Sequence, residues 1–245
     1  NFHYEVVVEH CTDTCAPNLK ELCRDNNFIG VMVLGTKLTS DIIKQLEETD
    51  VPVMLMDSYV KNPKVSCISS DNINSISAIV EQLIEDGHVN IGFLGGEKSS
   101  LVSRERFAGY VTALNGANIE YNSNFVCYGN FTEEGGRSCA KHFIDNKVTA
   151  VVCASDIMAI GLIRGLKELG AKVPDDISVS GFDDLEITRY FSPALTTVKQ
   201  DFFMLGKTAF TILRQSIKGY ETKRIILQAE PIFRKSTSKA SNKNS

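Results

Sequence analysis

Ala150-Val151-Val152-Cys153-Ala154-Ser155-Asp156, a helical pattern to Gly170, Pro174-Asp175-Asp176, a second apolar run and then Gly181-Phe182-Asp183-Asp184 form the stretch that decides the fold. Its two apolar runs are short enough for buried strands, and one amphipathic helix joins them. That is a βαβ unit, whose strands pair in parallel. The helix carries Ala159, Leu162, Ile163, Leu166 and Leu169 on one face. It starts after the cap-competent pair Ser155-Asp156, with Asp156 read as the cap, and stops where Gly170 takes a positive φ. Ligands of open parallel sheets bind at the carboxyl ends of the strands, so Ser155 and Asp183 mark a candidate site.

The same alternation runs outward in both directions. Tyr4 to Val8 reads as a strand, Asn18 to Asn26 as a helix, then strand Gly30 to Leu34, helix Ser40 to Thr49 and strand Val51 to Met56. Strand Val65 to Ile68 leads to helix Ile73 to Asp86, strand Asn90 to Leu94 and a helix near Ser103 to Asn115. Strand Phe125 to Tyr128 and helix Glu133 to Asp145 precede the βαβ unit. This order predicts an α/β protein with parallel sheets, split between two sheets near Ser69 to Asn72. The polar, basic tail Lys239 to Ser245 reads as disordered.

Composition narrows the class. The 245 residues are 43% hydrophobic and 23% charged, enough for two lobes. No apolar run reaches the roughly 20 residues needed to span a bilayer, and the chain reads as cytoplasmic without membrane contact. Twenty-six basic against 30 acidic residues give a net charge of −4, no footprint for a nucleic-acid backbone. Seven scattered cysteines do not suit a secreted disulfide scaffold; Cys67, Cys127 and Cys153 in strand-like runs read as reduced core thiols. Cys11, Cys15 and Cys23 lack paired zinc spacing, so no metal is expected. No nucleophile elbow, His-Glu-x-x-His or phosphate-loop motif is present, so neither an enzyme nor a cofactor is expected.

Five residues fall just beyond strands: Asp57, Arg106, Phe131, Ser155 and Asp183. A carboxylate accepts two hydroxyl hydrogen bonds, a guanidinium offers a fork of donors, and an aromatic face covers the apolar side of a sugar or stacks on a base. The set suits a small polyhydroxylated ligand. Phe131 fits either a pocket wall or the core, Asp184 reads as a solvated turn residue, and His88 after Gly87 as part of a helix-terminal turn.

In order and spacing, Ala154 to Gly161, Val173 to Val179, Gly181 to Asp184, Pro193 to Gln200, Asp71-Asn72, Gly87-His88, Gly95-Gly96, Arg106 to Tyr110 and Arg234 to Thr237 resemble the lactose-repressor/galactose-repressor family of bacterial transcription regulators. The likeness is to the effector-binding domain, not to the DNA-binding head. It implies a type I periplasmic-binding-protein-like fold of two similar lobes, each a parallel sheet flanked by helices, with an effector in the cleft. The implied N-lobe is 1–70 plus 199–226 and the C-lobe 71–198 plus 227–238, with crossings near Ser70, Lys199 and Leu227. The first strand and helix of the family's N-lobe would precede Tyr4, so the chain reads as a fragment. Arg106 matches the arginine of the family's Arg-x-x-Gly-aromatic motif, Asp183 the effector-binding acid, and Phe131 the pocket aromatic. Ser155 stands where many members carry Asn. The implied partners are a small-molecule effector such as a sugar, a second copy in a homodimer, and DNA only through an upstream helix-turn-helix. A sugar-binding receptor of an uptake system is the alternative on the same two-lobe plan.

Overall fold

The computed structural model describes residues 4–8, 19–25, 27–35, 38–62, 64–219 and 221–240. Cys11, Cys15 and the tail from residue 241 lie outside them. In chain order the elements begin α1 (Leu19–Asp25), β1 (Val31–Leu34), α2 (Ser40–Glu48), β2 (Val53–Met56) and β3 (Val65–Ser70). Next come α3 (Asn72–Glu85), β4 (Ile91–Gly95), α4 (Leu101–Gly116), β5 (Val126–Tyr128), α5 (Glu133–Ser138) and α6 (Ala140–Asp145). The series continues with β6 (Ala150–Cys153), α7 (Asp156–Glu168), β7 (Ser178–Ser180), α8 (Ile187–Tyr190) and β8 (Thr197–Lys199). It ends with α9 (Phe202–Ile217), β9 (Arg224–Leu227) and β10 (Glu230–Ile232). Two compact units result, Asn1–Ile68 with Lys207–Arg224 and Ser69–Gly206 with Ile225–Ser245.

The first unit is built on the sheet β1-β2-β3, bordered by β9. β1, β2 and β3 are parallel, with Val31 opposite Val53 and Val53 opposite Val65. Leu46 of α2 packs with Val53, Leu55, Val65 and Cys67 in its core; full burial of such a side chain contributes about 1.5–3 kcal/mol. The Thr39 hydroxyl accepts the Ile42 N–H and starts α2. Tyr4 to Val8 does not form the expected strand: among the described residues it joins no sheet, and Val6 and Val8 are exposed. Apolar residues supply a strand propensity, but a strand needs a paired edge.

The second unit carries the sheet β5-β4-β6-β7, parallel throughout. Antiparallel β8 and β10 continue from its β7 side through bridges Ser180↔Thr196 and Asp183↔Lys199. Phe93, Tyr110, Phe143 and Phe182 are fully buried in its core. The Tyr110 ring stacks on Phe93 and its hydroxyl donates to the Ile91 carbonyl at 2.8 Å, which answers the cost of burying it. The opening βαβ unit forms as its sequence dictates: β6 and β7 pair in parallel, and Gly170 after α7 has φ +84°.

Three expectations are corrected in this unit. Residues 133–145 form not one helix but α5 and α6, broken at Cys139. Two consecutive glycines, Gly135 and Gly136, weaken the helix there, and Cys139 is anchored through a disulfide to Cys127 of β5. Cys127 is therefore no reduced core thiol, whereas Cys67 and Cys153 are free and buried. Lys239 and Ala240, the start of the expected disordered tail, are placed: the Ala240 N–H donates to the Asp86 carbonyl at 2.9 Å. Just upstream, His88 anchors the same segment, with Nε2 donating to the Ser238 carbonyl and Nδ1 at 2.9 Å from the Thr149 hydroxyl.

Candidate functional site

The parallel order of β5, β4, β6 and β7 gathers their carboxyl ends on one edge of the second unit. Arg106 reaches this edge from α4. Its side chain is 5% exposed, and its guanidinium lies 3.6 Å over the Phe182 ring. Nε donates to Asn72 Oδ1 at 2.8 Å and Nη1 to the Ala154 carbonyl at 2.5 Å. Nη1 also stands 4.0 Å from Asp183 Oδ1. Held by a ring, an amide, a carbonyl and a carboxylate, the planar fork has one orientation, which a flexible lysine would not reproduce.

Asp183 is presented by its backbone. Its N–H donates to the Val198 carbonyl at 2.8 Å, and its φ of +124° is a conformation that side-chain-bearing residues rarely adopt. Its carboxylate accepts from Gln200 Nε2 at 2.6 Å, and Gln200 Oε1 accepts the Ser70 hydroxyl at 2.6 Å. The side chain stays 19% exposed, so it is oriented yet reachable.

Phe131, also at positive φ (+57°), lies on the loop after β5, half-buried against the core. Its ring rests directly on Gly96 beyond β4: a Cβ there would fall 2.1 Å from the ring. Both the pocket-wall and the core reading thus describe part of it. Ser155 is 6% exposed and its hydroxyl accepts the Met158 N–H, so Ser155, not Asp156, caps α7. Asp156 is a bolt: its carboxylate accepts the Thr197 hydroxyl at 2.6 Å and the Leu185 N–H at 2.8 Å. Burial pushes its carboxyl up to about 7 against those two hydrogen bonds, helped by the charges of Asp183 and Asp184.

Asp184 is not a solvated turn residue. Its side chain is 3% exposed and pairs with Arg234 at 2.5 Å and Arg189 at 3.1 Å. Burial alone would raise it, but the two guanidinium groups outweigh that and hold it below the ordinary carboxylate value. Asp57 belongs to the first unit, beyond β2, with φ +57° and its N–H donating to the Ile68 carbonyl at 3.0 Å.

The second unit therefore carries Arg106, Phe131, Ser155 and Asp183, and the first carries Asp57. Sequence reasoning missed Asn72, Phe182, Gln200 and Ser70 as supports. Asn72 and Gln200 stand within the segments Asp71-Asn72 and Pro193 to Gln200, but a single amide side chain carries no chemical signal in a sequence. Asn72 is 2% exposed and also donates to Glu105 at 2.9 Å; such burial requires a partner.

Parallel sheets flanked by helices, in two compact units, are the plan of a periplasmic-binding-protein-like domain. The family model of a periplasmic binding protein-like domain matches residues 80–237. The HTH-type transcriptional repressor PurR of Mannheimia succiniciproducens is 32% identical over 91% of this chain and 68% of its own length. PurR of Vibrio campbellii is 35% identical over 82% of the chain and 61% of its own length. The chain thus spans about two thirds of these relatives. Among solved structures, a transcriptional regulator CelR–cellobiose complex superposes with a TM-score of 0.84 at 30% identity, covering 89% of this chain and 68% of that one. A LacI family transcriptional regulator from Enterococcus faecium with bound ribose gives 0.84 at 26%, covering 91% and 84%. The chain belongs to the LacI family of transcription regulators, as an effector-binding regulatory domain.

Proposed function

We propose that this domain senses a small polyhydroxylated metabolite, in the first instance a sugar, through Arg106, Phe131, Ser155 and Asp183 of the second unit and Asp57 of the first. The observation that carries the reading is the Arg106–Asp183–Gln200 array: a donor fork and an oriented, partly exposed carboxylate beside an aromatic ring. Vicinal hydroxyls suit both groups, since a hydroxyl donates to an acid and accepts from an arginine. Structural relatives with cellobiose and with ribose support the sugar class.

The coupling we infer is a population shift. An effector that engages residues of both units stabilises one of their relative orientations by its differential affinity, and a cytoplasmic homodimer passes this to an upstream helix-turn-helix. About 1.4 kcal/mol of differential binding moves such an equilibrium tenfold, which one or two charge-assisted hydrogen bonds supply. No step of this scheme is catalytic.

Thermal-shift screening with mono- and disaccharides, sugar phosphates and purines tests it. A sugar hit whose affinity falls at least about tenfold in both Asp183→Asn and Arg106→Lys is the expected result. A hit with unchanged affinity in both variants removes the site assignment, and a purine as the sole hit removes the sugar.

A further inference from the structure

The first unit contains a pocket of about 470 Å³ between the chain leaving β2 and the chain entering β9. Its buried surface is made by Val65 and the Cys67 thiol, 5% and 4% exposed. Its exposed surface is made by Tyr59, Lys61, Lys223 and Arg224. No carboxylate is among the described residues that line it, although the chain as a whole is acidic, with a net charge of −4.

Three basic residues line one concavity, with no acidic residue among its described lining. Like charges so placed repel, and an anion entering between them relieves that repulsion and adds charge-assisted hydrogen bonds. The frame is fixed independently of any ligand. Arg224 lies 4.4 Å over the Tyr59 ring, the Val65 N–H donates to the Asn62 carbonyl, and the Cys67 N–H donates to the Lys223 carbonyl at 2.8 Å. The Lys223 N–H in turn donates to the Ser66 hydroxyl at 3.1 Å. An apolar floor under a cationic rim selects a molecule with two parts, an anionic group and a ring. The volume admits a phosphomonoester of a ring the size of a sugar or a phenyl group, and falls within the range of ordinary small-molecule sites.

We infer that this pocket is a binding site for a small phosphorylated ring compound, separate from the Asp183 site. All of its residues lie in the first unit, and none belongs to the effector array.

Phenyl phosphate is the probe, with phenol and inorganic phosphate as the two halves of the ligand, titrated into the full chain at low salt and followed by amide chemical shifts. Saturable shifts confined to residues 59–67 and 222–224 are expected, with phenyl phosphate bound more tightly than either half. Lys61→Ala and Arg224→Ala should each weaken it at least about fivefold, with steep salt dependence. Asp183→Asn should leave it unchanged, so that failure here and failure of the effector reading stay distinguishable. Shifts elsewhere, equal affinity in the Lys61→Ala/Arg224→Ala double variant, or no saturation below about 10 mM overturns the inference.

Discussion

Replacing Asp156 by Asn tests the central bolt of the second unit. The carboxyl is fully buried, and burial raises it from 3.8 to about 7 despite the Thr197 and Leu185 hydrogen bonds. In the unfolded chain the same group ionises near 3.8. Below pH 4 both states hold the proton and no penalty arises; above it the unfolded chain loses the proton while the native state keeps it, so stability falls as pH rises. The loss is complete once pH passes the native value of about 7. At about 1.4 kcal/mol per pH unit, the gap sets an upper bound of about 4 kcal/mol. Asparagine is nearly isosteric and does not titrate: its oxygen accepts the Leu185 N–H and its amide donates to the Thr197 hydroxyl. Urea denaturation between about pH 5 and pH 8 should show Asp156→Asn gaining about 1–3 kcal/mol on the wild type across that range. Asp184 does not confuse the reading, because its lowered carboxyl stabilises above the ordinary acid value and loses that contribution only at lower pH. A difference flat with pH, or a variant that falls behind as pH rises, would refute the reasoning.

Phe131→Gly should be more stable than Phe131→Ala by about 1 kcal/mol, because only glycine is unstrained at φ +57°; equal chemical-denaturation midpoints would remove the strain from the argument. Gln200→Leu leaves Asp183 and Ser70 without their shared partner and should cost about 1–3 kcal/mol of stability and about tenfold in effector affinity. Gln200→Glu, which sets a carboxylate against Asp183, should be worse for affinity, as isothermal titration would show. Cutting the Cys127–Cys139 bond, by reductant or as Cys127→Ser, frees a span of 12 residues and should lower stability by about 3 kcal/mol; a melting temperature indifferent to reductant would contradict this.

How much could be read from the sequence depended on the range of the forces involved. β6, α7, β7 and the stop at Gly170 were legible because apolar period and backbone freedom act locally. The candidates Phe131, Ser155 and Asp183 were legible for a related reason: a parallel sheet delivers the residues after its strands to one edge whatever the loops do, whereas Arg106 comes from within α4. Which of Ser155 and Asp156 caps α7 was not legible, since both side chains can cap. The choice is made at long range, where the Asp156 N–H donates to the Phe182 carbonyl at 2.8 Å and its carboxylate is claimed by Thr197 and Leu185. The disulfide and the break at Cys139 share a cause of the same kind. Helical spacing brought residues 133–145 together as one segment, and only the approach of β5 shows where that segment gives way.

Backbone strain gives the candidate site an argument independent of its chemistry. Asp57, Phe131 and Asp183 were singled out because acids and aromatics after strands suit a hydroxylated ligand. All three have positive φ, at +57°, +57° and +124°. Each such conformation costs about 1–3 kcal/mol for a residue with a side chain, and glycine would remove it. Turn geometry explains part of this for an aspartate, which tolerates the left-handed region, but not for phenylalanine. A chain that keeps Phe131 strained, with its ring on Gly96 rather than sunk wholly in the core, forgoes stability that packing alone would have recovered. The stability forgone fixes where the ring and the Asp183 carboxylate stand before any ligand arrives, and preorganisation of this kind lowers the ordering cost of binding.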